Sequence, residues 1–384
     1  MSETNHYTAC FQIAPSVRVG APGRINLIGE HVDYLGGSVM PIAIARHLTV
    51  DAGLSPDDKF RILPVGLGIS DPVEFEIEDC KAGADPGHSW LNYVFGVISG
   101  YRGAGVQVPA FQAAISSTLP TGAGLSSSAA LETAIALVIE ALTGVEQDVV
   151  DRALICQKAE HDFAGVPCGI MDQLAVGAGK AGHALLLDCS DLSYSNLPIP
   201  DGIAVLTADT GVKHALGDGE YRKRRENCES ALGILAADSF RGLSLADIET
   251  AKEVLGDLLF RRARHAVTEM ARVDAFANAL KQGDIAPLGR LMRESHESLR
   301  SDFDVSCVEL DRLVEAAYEF GPERGLIGSR MTGGGFGGST VSLVAAESAD
   351  ELKNHLEKFY REKFARDLNC FVTSAVDGAG FDSV

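Results

Sequence analysis

Short stretches of alternating apolar and polar residues dominate the first third of the chain. "PIAIARHLTVDAGL" (41–54), "FRILPV" (60–65) and "EFEIED" (74–79) carry the period-two pattern of half-buried strands. "SWLNYVFGVISGY" (89–101) instead brings Trp90, Val94, Val97 and Ile98 to one helix face. "AFQAAISS" (110–117) predicts a further strand, leading through Leu119 and Pro120 into a glycine and serine turn. From Ser127, "SSAALETAIALVIEAL" is rich in strong helix formers and stops at Gly144. Serine at its start and Glu132 soon after suit a helix N-terminus. A second helix is predicted over 146–163, and "HALLLDC" (183–189) is again strand-like.

Turn residues thicken around "SYSNLPIPDG" (193–202), which predicts a domain junction there. Beyond it come the strand "IAVLTAD" (203–209) and the charged helix "GEYRKRRENCESALGIL" (219–235). Long helical patterns fill 257–320. The chain then gives a glycine cluster, the strand "STVSLVAA" (339–346), the amphipathic helix "ADELKNHLEKFYREKF" (349–364) and the strand "NCFVTSAV" (369–376). Strands and helices interleave in both halves, so the expectation is a two-domain α/β or α+β protein, divided 1–195 and 196–384, with a site in the cleft between them.

Composition narrows the function. The 384 residues exceed one ordinary core, and the formal net charge of −20 disfavours nucleic acid and anionic membranes as partners. Any anionic substrate therefore needs a locally positive pocket. The first sixteen residues lack a basic start followed by an apolar stretch, and no run approaches the ~18 apolar residues of a membrane span. The eight cysteines include no CxxC pair, which points to free thiols in a reducing cytoplasm rather than to zinc or a disulfide framework.

Three segments carry the chemistry. In "LPTGAGLSSSAALETA" (119–134), glycines permit tight turns whose backbone N–H groups converge on an anion, and the following helix aims its positive end at the same place. The loop has no lysine, so it is not a Walker loop. Taken alone, such a turn is more often a plain strand-to-helix connection. "APGRINLIGEHVDYLGGSVMPIAI" (21–44) sets Arg24, Glu30, His31 and Asp33 in an apolar, glycine-bearing stretch, which is costly unless they converge on something polar. "AEHDFAGVPCGIMDQLAVGAG" (159–179) holds Asp172 in an otherwise apolar run, and "GSRMTGGGFGGSTVSL" (328–343) is a second glycine loop.

These residues carry a resemblance. Residues 23–34 match the galactokinase pattern GRxNLIGEHxDY at every specified position, and "PTGAGLSSSAAL" and "TGGGFGG" resemble the second and third motifs of the GHMP kinases. Residues 213–229 and 296–317 also resemble galactokinases, so the likeness runs along nearly the whole chain. It implies an α+β GHMP kinase fold and transfer of phosphate from ATP to the anomeric hydroxyl of galactose, in a cytoplasmic monomer. Asp172 is then the candidate base, and Arg24 its partner, whose planar fork can also face the moving phosphoryl group. Glu30, His31, Asp33, Tyr221 and the backbone at Gly169 would line the sugar site. Gly122, Ala123, Gly124, Leu125, Ser126, Ser127 and Ser128 would hold ATP's phosphates, with Trp90 and Tyr93 on the adenine side or, equally, on a helix packing face. Ser128 and Glu160 match the family's magnesium positions. The four cations of "YRKRR" (221–225) form the densest positive run; such runs are usually solvated helix faces, and none is assigned to catalysis. A kinase for a neighbouring sugar (N-acetylgalactosamine or arabinose) and a non-catalytic ATP and galactose sensor are the alternatives, the second disfavoured because the loop, Arg24 and Asp172 are all present.

Overall fold

The computed structural model describes residues 6–83, 88–120, 124–213 and 217–383. Its described strands form three sheets. The largest has six: β1 (Val17–Asn26), β3 (Pro41–Leu54), β4 (Phe60–Pro64), β5 (Val73–Phe75), β6 (Phe111–Ser117) and β13 (Gly380–Asp382), in the order β13-β1-β3-β6-β4-β5. Only the β4–β6 pairing is parallel. A three-stranded sheet joins β2 (Ser38–Val39), β7 (His183–Asp188) and β8 (Tyr194–Pro198). The third sheet, antiparallel throughout, runs β10-β11-β9-β12 from Leu326–Thr332, Gly337–Ala345, Ile203–Lys213 and Asn369–Thr373.

The helices are α1 (His6–Phe11), α2 (Leu91–Gly103), α3 (Ser127–Thr143), α4 (Val149–Ala159), α5 (Met171–Ala178), α6 (Gly217–Leu235), α7 (Leu245–Thr250), α8 (Lys252–Gln282), α9 (Leu288–Ser298), α10 (Val308–Phe320) and α11 (Ala349–Phe364). Helix α3 lies across β1 and β3, with α2, α4 and α5 beside it, while α10 and α11 pack on the third sheet. The fold is α+β, as expected. Gly96 and Gly100 of α2 let α4 approach so closely that an added Cβ would stand 2.5 Å from Ala159 and 2.6 Å from Ile155. The expected junction at 195 falls inside β8, and the chain's last strand returns to pair with β1.

Local departures from the sequence pattern have physical reasons. The helix expected over 146–163 starts later, where the Asp148 carboxylate accepts the Val150 and Asp151 N–H groups at 2.7 and 2.9 Å. Its last turn, Glu160–Ala164, is a π-turn closed by Gly165 at φ 74°. Only Val73–Phe75 of the "EFEIED" region is strand; Ile77–Asp79 forms a 3-10 turn held by the Asp79 carboxylate on the Glu76 N–H at 2.9 Å. "SYSNLPIPDG" contains strand β8 as well as turns.

Strand β1 sets up the site. Its register breaks between Pro22 and Gly23, where proline cannot donate to the ladder. A Cβ on Gly23 would lie 2.4 Å from Leu119 Cδ2 and 2.7 Å from the Leu125 carbonyl, so glycine alone lets the strand run against the serine loop. The Arg24 N–H then donates to the Leu125 carbonyl at 3.1 Å.

Candidate active site

Arg24 leaves β1 directly after that bulge and reaches the first turn of α5. Its Nε and Nη2 donate to the two oxygens of Asp172 at 2.7 and 2.8 Å, and its Nη1 donates to the Gly124 carbonyl at 2.6 Å. The guanidinium thus ties the serine loop to Asp172. Burial works against its charge, but Asp172, with Glu30 and Asp33, raises its pKa above the usual value.

Ser126 stands at the N-cap of α3 with φ 57° and ψ 48°, the left-handed region that non-glycine residues seldom adopt. Its hydroxyl makes no cap. It donates to Asp172 Oδ2 instead. Glu132, expected to serve the helix N-terminus, is fully buried. Both differences follow from α3 being packed into the site rather than starting in solvent.

The segment after β1 is pinned from the opposite side of the cavity. Asn26 Nδ2, Thr332 Oγ1 and the Gly333 N–H donate to the Glu30 carboxylate at 2.7, 3.0 and 2.8 Å. His31 has φ 63°, and its Nε2 faces the Gly334 carbonyl at 3.1 Å. A carbonyl only accepts, so Nε2 carries the proton and Nδ1 accepts from the Tyr34 hydroxyl at 3.0 Å. Burial drives the His31 pKa down to about 3, with His265 adding to it, so the imidazole is neutral at pH 7. Its ring sits 4.8 Å from Phe303 and 5.2 Å from Tyr221. Burial, reinforced by Asp172, pushes the Asp33 carboxyl up to about 7. Gly169 faces it so closely that a Cβ there would come within 1.8 Å of Asp33 Oδ2. Burial also raises the Tyr221 phenol, which keeps its proton as a donor.

On the loop side, the π-turn after α4 directs Glu160 inward. Gln173 Nε2 donates to Glu160 Oε2 at 2.8 Å and to Glu132 Oε2 at 3.1 Å, and the Ser128 hydroxyl bonds Glu160 as well. Burial, then the charge of Asp172, pushes Glu160 up to about 7, and burial carries Glu132 well above the carboxylate range. Glu132 Oε1 has no hydrogen-bond partner. Two buried carboxyls beside a hydroxyl, with no paired cation among the described residues, form an oxygen-donor set that suits a hard divalent ion. Among the described residues no group of three His, Cys, Asp or Glu side chains is placed to hold a metal unaided. Magnesium, which takes few protein ligands and completes its shell with phosphate oxygens and water, fits such a set.

A cavity of about 540 Å³ is lined by Arg24, Glu30, His31, Asp33, Glu160, Gly169, Asp172 and Tyr221, closed by the glycines at 333–335 and Phe336. The predicted sugar and catalytic residues therefore meet around one space. Trp90 and Tyr93 do not line it; both pack against the core of the six-stranded sheet, and the Trp90 indole N–H is buried without an acceptor among the described residues. Gly122 and Ala123 lie outside the described residues. Sequence reasoning missed Tyr34, Thr332, Gln173 and the carboxylate contact of Ser126. A signal existed for one of these: Gln173 follows Asp172 directly.

Comparison with known proteins gives the family. The family model "Galactokinase galactose-binding signature" matches residues 5–53; those for the GHMP kinase N-terminal domain and C-terminal region match 92–180 and 276–362. The galactokinase of Bos taurus is 42% identical over 373 residues, covering 96% of this chain and 93% of its own. That of Chloroflexus aggregans is 43% identical over 376 residues, covering 96% and 94%. The crystal structure of Lactococcus lactis galactokinase complexed with galactose superimposes with a TM-score of 0.93 at 32% identity, covering 98% of both chains. A mevalonate kinase at 18% identity and a TM-score of 0.64 shares the fold. Similar in sequence along almost its whole length to curated galactokinases, this chain belongs to the galactokinase family of the GHMP kinases.

Proposed function

We propose that this chain transfers the γ-phosphoryl group of ATP to the C1 hydroxyl of D-galactose, giving α-D-galactose 1-phosphate and ADP. The observation that carries the reading is the Arg24–Asp172 ion pair, set between the N-terminus of α3 and a wall made by Glu30, His31 and Asp33. A carboxylate offers about four acceptor positions, and Arg24 and Ser126 fill three on Asp172. The one left, on Oδ1, accepts the anomeric hydroxyl and aligns its oxygen for in-line attack. Asp172 takes the proton as the new P–O bond forms. Arg24 fixes the carboxylate's orientation, and the α3 N-terminus with residues 122–128 receives the donor phosphates.

Neutral His31, the free acceptor position on Glu30, the Asp33 carboxyl, Tyr221 and the backbone at Gly169 hold the sugar hydroxyls. Ser128 and Glu160 would hold Mg²⁺. When bound, the ion neutralises phosphate charge. We also place Trp90 and Tyr93 on the adenine side, a reading supported by the unsatisfied indole N–H. The reading extends to two units, 1–195 and 196–384, and to a cytoplasmic monomer; the cytoplasmic placement is supported by eight free cysteines.

A coupled ADP-release assay with ATP and Mg²⁺ against a panel of free sugars and mevalonate tests the proposal. Turnover with galactose is expected to exceed that with N-acetylgalactosamine, arabinose or mevalonate. Turnover with another acceptor and none with galactose would overturn the substrate assignment.

A further inference from the structure

Helix α6 presents four consecutive cations, Arg222, Lys223, Arg224 and Arg225, and their surroundings differ sharply. Lys223 lies 3.7 Å from Glu220 on the same helix. Arg224 is buried and donates to the carbonyls of Phe303 and Asp304 at 2.8 and 2.7 Å, with Nη1 on Glu220 at 2.7 Å. Arg225 pairs with Glu229 at 3.0 Å and lies 5.8 Å over the Tyr34 ring. Arg224 and Arg225 tie the helix to its neighbours, while Lys223 pairs within it. Arg222 is different: it lines the cavity that contains Asp172, and no hydrogen bond or ion pair engages its guanidinium among the described residues.

The charge inside the cavity shows why this matters. Four carboxyl groups line it, Glu30, Asp33, Glu160 and Asp172, against two arginines, Arg24 and Arg222. Arg24 is committed, with three of its nitrogens bonded to Asp172 and Gly124. An incoming phosphoryl group adds negative charge in a protein of formal charge −20. Among the described residues, Arg222 is the cavity arginine with its fork unengaged, and a guanidinium fork fits phosphate oxygens in two-point contact. It is solvent-exposed, so the side chain retains the rotamer freedom to follow a ligand. Its neighbour Tyr221, packed against His31, marks the sugar side of the same space.

We infer that Arg222 is a binding residue for the transferred phosphoryl group, contacting it on the ATP donor and again on the sugar 1-phosphate product. This rests on the kinase reading above. Arg222 makes and breaks no covalent bond; it offsets negative charge that Arg24, already bonded to Asp172 and Gly124, does not.

The test compares Arg222→Gln and Arg222→Lys with Lys223→Gln, a control that removes one charge from the same helix outside the cavity. Steady-state kinetics give kcat and the KM for ATP, and calorimetry gives the affinities for galactose alone and galactose 1-phosphate alone. Arg222→Gln is expected to lower kcat/KM for ATP, and affinity for galactose 1-phosphate, by about tenfold, as for loss of a charge-assisted bond. Galactose affinity should stay within about twofold, Arg222→Lys should recover part of the loss, and the loss should persist at high salt, where long-range steering is screened. Equality of Arg222→Gln with Lys223→Gln would overturn the inference. So would an equal loss of galactose affinity, which makes Arg222 a support for Tyr221, or a deficit abolished by salt, which makes it a steering charge. If the unsubstituted enzyme turned over galactose while Arg222→Gln matched it, this inference alone would fail; without that turnover, the kinase reading fails and takes this inference with it.

Discussion

Asp172 already accepts three hydrogen bonds in the free protein, so its orientation is set before substrate arrives. Asp172→Asn keeps the volume but turns one Arg24-facing oxygen into an N–H donor, which meets another donor. Turnover should fall by about 10²–10⁴-fold, the usual range for loss of a general base. Galactose affinity by calorimetry should stay within severalfold, because Glu30 and His31 are held by Thr332, Gly333 and Gly334 rather than by Asp172. Near-normal turnover would remove Asp172 from the reaction. The sequence marks Asp172 as an acid in an apolar run that needs a partner, and the pairing with Arg24 supplies one; its assignment as base comes from the family resemblance. The contact of Ser126 with Asp172 was not legible there. A serine before a helix is ordinarily read as its cap, and only the left-handed backbone at φ 57° turns that hydroxyl away from the helix.

The helix ends differ in the same way. Gly144 closes α3 at φ 72°, as the glycine after Thr143 predicts, because a left-handed residue there completes the last turn. The π-turns at Glu160–Ala164 and Leu299–Phe303 leave no such trace, since apolar periodicity does not report one extra residue in a turn. Yet the first of them aims Glu160 inward, and the second sets Phe303 against His31. Between the first π-turn and α5 the backbone passes Gly169, where a methyl group would overlap the Asp33 carboxyl. Gly169→Ala should therefore displace Asp33 or the loop, raising KM for galactose at least about tenfold. The melting temperature should change little, since the surroundings are a cavity wall rather than core. An unaltered KM with a large loss of melting temperature would show that the close approach serves folding instead.

Across the whole molecule, α8 is tied to the sugar-binding segment and to β10 by charges inside the protein. The Glu269 carboxylate is fully buried and accepts the Gly29 N–H at 2.9 Å, the Ser295 hydroxyl at 2.7 Å and Arg272 Nε at 2.7 Å. Buried Arg330 lies between Glu30 and Glu269, at 3.6 and 4.0 Å. The sequence showed Glu30 clearly, but not this support: Glu269 sits in a long helix whose pattern also suits a solvated acid, and its partner Gly29 is 240 residues distant. Burial alone would raise the Glu269 pKa; Arg272 and Arg330 reverse that and hold it down at about 2. A depressed acid stabilises the fold fully above its unfolded pKa of about 4.5, and the stabilisation fades as pH falls toward 2. Glu269→Ala removes the bonded partner of Arg272, one of the two carboxylates beside Arg330 and three acceptor contacts, and should cost about 3–5 kcal/mol in denaturant unfolding at pH 7. Ser295→Ala, which deletes one hydrogen bond, should cost about 1 kcal/mol. The gap between the unsubstituted protein and Glu269→Ala should hold from about pH 8 to 5 and narrow below about 4.5, where the unfolded chain's carboxylate takes up its proton while the native one, held at about 2, stays charged. A gap of under 1 kcal/mol, or one that widens toward acid, would show that α8 and the sugar segment are held by packing and not by this buried charge.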